Sequence, residues 1–142
     1  MKVYILAVWF LVFLMLLPLS CQAYERVISL SPQITESIYL LGAQEQLTGV
    51  TSLCKRPKDA LAKEKIGTPL RPDIEKIVSM KPDLVLGTRE GNPPMAIARL
   101  ERFGLSVRYF GRPKTLGELL QNFLLLARML GRENKGHEVL SR

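Results

Sequence analysis

The period of the apolar positions changes repeatedly along the chain, and each change marks an element. From Pro72 to Gly87 the sequence reads PDIEKIVSMKPDLVLG. Ile74, Ile77 and Val78 recur at helical spacing. Asp73 is placed to cap this helix by accepting from its first free amides. Pro82 stops it and pushes Lys81 out of the helical region. Leu84-Val85-Leu86 is an apolar run without alternation, which predicts a strand buried on both faces.

The same alternation fills the rest of the chain. Arg26–Leu30 predicts a first strand, and Ser31-Pro32 predicts a helix start, with Ser31 capping and Pro32 at the first helical position. Ile34, Ile38 and Leu41 stripe that helix and Gly42 closes it. Leu47–Ser52 predicts a second strand. Leu53–Pro69 is polar and basic, with one helical turn around Asp59–Lys63. Thr88–Asn92 reads as a loop. Pro93-Pro94 opens a helix whose apolar face is Ile97, Leu100 and Phe103, and Gly104 stops it. Leu105–Phe110 is a fourth strand. Thr115 and Glu118 form a capping box before a long helix. Its stripe is Leu116, Leu119, Leu120, Phe123, Leu126, Ala127 and Leu130, and a further helix begins near Lys135. The order β-α-β-α-β-α-β-α predicts an α/β fold, a four-stranded parallel sheet with helices on both faces.

Composition adds the compartment. Residues 1–23 read as a signal peptide: Lys2, an apolar run from Val3 to Leu17, then a small, polar stretch. Cleavage is expected after Ala23, with lipidation at Cys21 as the alternative. The run is short for a spanning helix. With 142 residues and 47% hydrophobic content, the remainder suits one globular domain. Formal net charge is +7. No basic run is interleaved with aromatics, which argues against nucleic acid. Two cysteines, Cys21 and Cys54, and one histidine, His137, make neither a disulfide framework nor a first-row metal site.

Ligands of open parallel sheets bind beyond the carboxyl ends of the strands. That rule selects the loops at Ser31–Thr35, Leu53–Pro57, Gly87–Asn92 and Gly111–Lys114, together with Gly67–Asp73. Lys55, Arg56, Lys58, Arg71, Arg89, Arg112 and Lys114 fall there against Asp59, Asp73 and Glu90. If these loops share a rim, it is positive and suits an anion. Enzymatic motifs are lacking: the first turn is Ser-Pro-Gln, without a phosphate loop, and no GxSxG occurs. The enzymatic alternative is a small exported α/β enzyme using Ser31 or Cys54. A third reading is a basic adaptor whose leader is retained in the membrane.

The segment IEKIVSMKPDLVLG resembles the periplasmic binding proteins that deliver cobalamin, haem and iron-siderophores to ABC importers. RVISLSP, continuing to Thr35-Glu36, and Gly49-Val50 with its polar loop match at the right distances. The resemblance runs from about Arg26 to the C-terminus. It implies the N-terminal lobe of a two-lobed, helical-backbone receptor: a lobe core over residues 24–114, then over 115–142 a fourth helix and the start of the interlobe helix. The second lobe is absent, so the chain is expected to be truncated. The implied function is solute binding for import, without catalysis, cofactor or metal site. The implied partners are a permease, its ATPase and a metal-chelate ligand, and the implied location is the periplasm. Membrane contact is expected only through the permease or a lipid on Cys21. Carried over by position, the ligand contacts are Ser31, Pro32 and Gln33; Ser52, Leu53 and Arg56; Thr68, Pro69, Leu70 and Arg71; and Arg89, Glu90, Gly91 and Asn92. Glu75 matches the carboxylate that docks on permease arginines. Aromatics of the cobalamin binder in the second and third loops are replaced here by Leu53, Arg56 and Pro69. That substitution disfavours a flat corrin, whereas Arg56 and Arg71 suit carboxylates such as haem propionates or a ferric siderophore.

Overall fold

The computed structural model describes residues 23–142. The expected leader, including the Cys21 site, lies outside the described residues apart from Ala23. The strands are β1 (Val27–Ser29), β2 (Leu47–Val50), β3 (Glu64–Lys65), β4 (Leu84–Thr88) and β5 (Val107–Phe110). The helices are α1 (Pro32–Leu40), α2 (Ile74–Ser79), α3 (Pro94–Arg102), α4 (Leu116–Met129) and α5 (Glu133–Leu140), with a 3-10 turn over Lys58–Ala62.

All pairings are parallel, in the order β3-β2-β1-β4-β5. The sheet therefore has five strands, not four. The additional one, β3, is two polar residues at an edge, paired through Gly49 and Val50. Its sequence carries no apolar signal, so only the tertiary partner reveals it.

Alternation across the sheet builds two cores. On one face Val27, Leu47, Val50, Leu84 and Leu86 pack with Ile34 and Ile38 of α1 and Leu126 and Ala127 of α4. On the other, Ile28, Ile66 and Val85 pack with Ile74 and Ile77 of α2 and Ile97 and Leu100 of α3. Leu84, Val85 and Leu86 are all fully buried, as an unalternating run requires. At about 1.5–3 kcal/mol for each fully buried side chain, this triplet is a main contributor to the fold.

The ends of the helices follow their local chemistry. Asp73 caps α2 by accepting from the Lys76 amide at 3.0 Å. Thr115 accepts from the Glu118 amide at 3.1 Å, but Glu118 reaches past the cap to the Lys114 amide at 2.6 Å. The apolar stripe of α4 is buried only in its second half: Leu116 is 70% exposed and Leu119 50%. Phe103 is likewise exposed, because α3 ends at Arg102 and leaves it outside the packed face. Helices α4 and α5 cross closely. A Cβ at Gly136 would lie 2.8 Å from that of Ala127, so only glycine fits.

At the amino ends of the strands, Asp83 accepts from the Glu25 and Arg26 amides at 2.7 and 3.0 Å. The Arg26 guanidinium donates to the Met80 and Lys81 carbonyls. These bonds tie β1 to the turn before β4.

Candidate functional site

The strand order places β1 beside β4. The chain leaves β1 outward through β2 to β3, then returns across to β4 and β5. The two halves diverge beyond the carboxyl ends of β1 and β4, where an open α/β sheet leaves a crevice. A cleft of about 900 Å³ lies there, reached from Leu30–Ile34, Pro69, Thr88, Glu90, Gly91, Phe110–Pro113 and one face of α4 from Leu119 to Leu126.

Each wall is fixed by local bonds. Beyond β1, the Ser29 hydroxyl donates to the Ser31 carbonyl at 2.9 Å, and the Thr35 hydroxyl donates to the Ser29 oxygen at 2.9 Å. Ser31 has extended backbone angles and occupies the N-cap position of α1, yet its hydroxyl makes no capping bond. The expected cap is thus a backbone position only. Beyond β4, Asn92 is buried and joins three segments. Its Oδ1 accepts from the Thr88 amide at 2.8 Å, and its Nδ2 donates to the Pro69 and Leu30 carbonyls at 3.0 and 3.3 Å. Gly87 leaves room for it: a Cβ there would sit 2.7 Å from Asn92 Oδ1. Beyond β5, Glu90 Oε1 accepts from the Arg112 amide at 3.1 Å. That bond, with nearby arginine charge, holds the Glu90 carboxyl below the usual carboxylate range.

Of the residues expected at the ligand, the cleft is lined by Ser31, Pro32, Gln33, Pro69, Glu90 and Gly91. Ser52, Leu53, Arg56, Thr68, Leu70, Arg71 and Arg89 do not line it. Arg56 pairs with Glu36 at 3.2 Å on the surface. Thr68 caps its own turn by accepting from the Arg71 amide at 3.0 Å. Asn92 lies behind the lining, its polar atoms spent on the three loops. The expected positive rim is not gathered around this cleft: of its seven cations only Arg112 lines it, opposite Glu90.

Other lining residues escaped the sequence reading. Phe110, Leu119, Asn122 and Phe123 face the cleft. Leu119 and Phe123 carry the same helical spacing as core residues, so their stripe runs from core to cleft without a change of pattern. Aromatic surface absent from the second and third loops is thus supplied by β5 and α4.

The nucleophile candidates fare differently. Cys54 is 1% exposed, and its sulfur lies 3.2 Å from the hydroxyls of both Thr35 and Thr51. The basic residues after it are exposed while the thiol turns into the core, and Cys54 does not line the cleft. His137 is on α5, remote in sequence from Ser31 and absent from the cleft lining. Among the described residues no cluster of three His, Cys, Asp or Glu could hold a metal ion, and no helix is long and apolar enough to cross a membrane. Glu75 stands exposed in the first turn of α2, and no cation pairs with it among the described residues.

Comparison with known proteins agrees with this architecture. The periplasmic binding protein family matches residues 27–142. A vitamin B12-binding protein of Vibrio cholerae serotype O1 is 37% identical over 103 residues, 72% of this chain and 37% of that protein. The crystal structure of the periplasmic vitamin B12-binding protein BtuF of Vibrio cholerae superposes with a TM-score of 0.74 at 33% identity, covering 82% of this chain and 45% of that one. The periplasmic heme-binding protein RhuT from Roseiflexus sp. RS-1 gives 0.72 at 31% identity, covering 80% and 44%. The chain spans less than half the length of the curated relatives it matches.

Proposed function

The chain belongs to the periplasmic binding protein family, and from that membership we propose that it is the extracytoplasmic ligand-binding component of an ABC importer for iron-siderophore, haem or cobalamin. It binds and hands over its ligand without chemical change. The observation that carries this reading is the cleft at the switch point between β1 and β4, with apolar walls at Phe110, Leu119 and Phe123 and a polar edge at Ser31–Gln33. Flat macrocycles bury much apolar surface, and aromatic walls reward that burial. Related proteins named for vitamin B12 and heme point to the same ligand class.

The proposed location is the periplasm, and the proposed partners are the permease and its ATPase. Glu75 is the proposed docking carboxylate. It is exposed in the first turn of a helix, where the dipole favours a fixed negative charge.

The test is a titration of the purified chain with haemin, cyanocobalamin and a ferric siderophore, followed by ligand absorbance. Saturable binding of one of them at micromolar level is expected. Failure of all three with a folded protein overturns the reading. Docking is tested by Glu75→Arg, which is expected to abolish stimulation of the importer's ATPase while leaving ligand affinity unchanged.

A further inference from the structure

The ligand-binding reading leaves open which chemical group the polar edge of the cleft receives. The N-terminal end of α1 opens onto the cleft through Ser31, Pro32, Gln33 and Ile34. Pro32 has no amide hydrogen. The Gln33 and Ile34 amides donate to no acceptor among the described residues. Ile34 finds none at Leu30, whose carbonyl accepts from Asn92 instead. The natural acceptor for such amides is the hydroxyl of the N-cap residue. Ser31 holds that position but makes no such bond. Ser31 is 6% exposed, so its side chain is more than nine-tenths buried, and it lines the cleft. A hydroxyl without a protein partner on an almost buried residue of the cleft wall, beside two open amides at a positive helix end, is a donor set lacking its acceptor. The charged side chains at this cleft are Glu90 and Arg112, one of each sign, and Glu90 is engaged by the Arg112 amide.

We infer that the Ser31 hydroxyl and the Gln33 and Ile34 amides form a subsite for an anionic group of the ligand, a carboxylate in the first instance. The subsite rests on the ligand-binding reading and narrows it. It favours chelates with free carboxylates over those whose periphery is amide. It also moves the anion-attracting feature away from Arg56 and Arg71, which stand outside the cleft.

The experiment compares haemin with its dimethyl ester, which has the same ring and iron but no carboxylate, on the full chain. The free acid is expected to bind about tenfold more tightly, the size of a helix-end and hydroxyl contribution to one anion. Ser31→Ala is expected to weaken the acid several-fold and leave the ester unchanged. Ser31→Asp supplies its own carboxylate to the amides, so it should fold at least as stably and lose the preference for the acid. Equal affinity of acid and ester for the unaltered chain overturns the subsite while leaving the ligand-binding reading intact. A preference for the acid that persists in Ser31→Asp does the same. Failure of both compounds to bind the folded chain overturns both.

Discussion

The two ends of the sheet are built on opposite terms. At the amino ends, one aspartate and one arginine join β1 to the turn before β4 with bonds between backbone and side chain. At the carboxyl ends the same two strands part, and a single buried side chain, Asn92, holds Leu30, Pro69 and Thr88 in relation to one another. Side chains that would be core elsewhere face a cleft there. Strand pairing alone therefore does not shape a site. The amino end fixes the strands, and Asn92 fixes the loops.

That contrast can be broken most sharply at Asn92. Asn92→Leu fills similar volume but leaves two carbonyls and an amide without partners, at roughly 1–3 kcal/mol each. A loss of about 3 kcal/mol is expected in urea unfolding, together with weaker ligand binding. Gly87→Ala should reproduce the binding defect by displacing the Asn92 side chain. If either variant keeps full affinity, the loops do not depend on this staple. Asp83→Ala attacks the other end. It removes two charge-assisted bonds at an exposed site and is expected to cost about 1–2 kcal/mol of stability, while ligand affinity, measured by titration, stays unchanged.

A smaller effect is expected at the cleft wall. Phe123→Ala should weaken haemin binding by about 1 kcal/mol, roughly fivefold, through loss of aromatic contact. The smallest concerns the Glu90–Arg112 clasp. The folded state lowers the Glu90 pKa. The clasp is therefore complete above the ordinary carboxylate range and is lost as pH falls through the lowered value. The Arg112 amide resonance in an NMR titration should move over that acidic window and stay constant above it.

The core and the helix bounds are legible in the sequence more surely than the walls of the cleft, and the Asp83 and Arg26 ties at the amino end are not legible at all. The bounds of α2 follow from Asp73 and Pro82, both local signals that tertiary structure leaves in place. The run at Leu84–Leu86 announced its double burial, though β4 continues through Gly87 and Thr88, which read as loop. At the site the local signals mislead. Cys54 sits among basic residues yet turns inward, and Asn92 belongs to a polar loop yet is buried. The loop order locates the crevice, but which side chains enter it is decided by contacts between segments distant in sequence. Asn92 and Leu30 are 62 residues apart.

The close crossing of α4 and α5 constrains how this chain can diverge. Gly136 and Ala127 share one small volume, since a single added methyl at 136 already overlaps the neighbour. Neither position can drift towards larger residues on its own, and even the exchange of their side chains requires two substitutions to arrive together. Because α4 also carries Leu119 and Phe123, a shift of its axis to admit bulk at 136 would be felt at the ligand. Selection on what the cleft holds thus reaches a glycine that touches no ligand, and the pair should change slowly in any lineage that keeps the cleft.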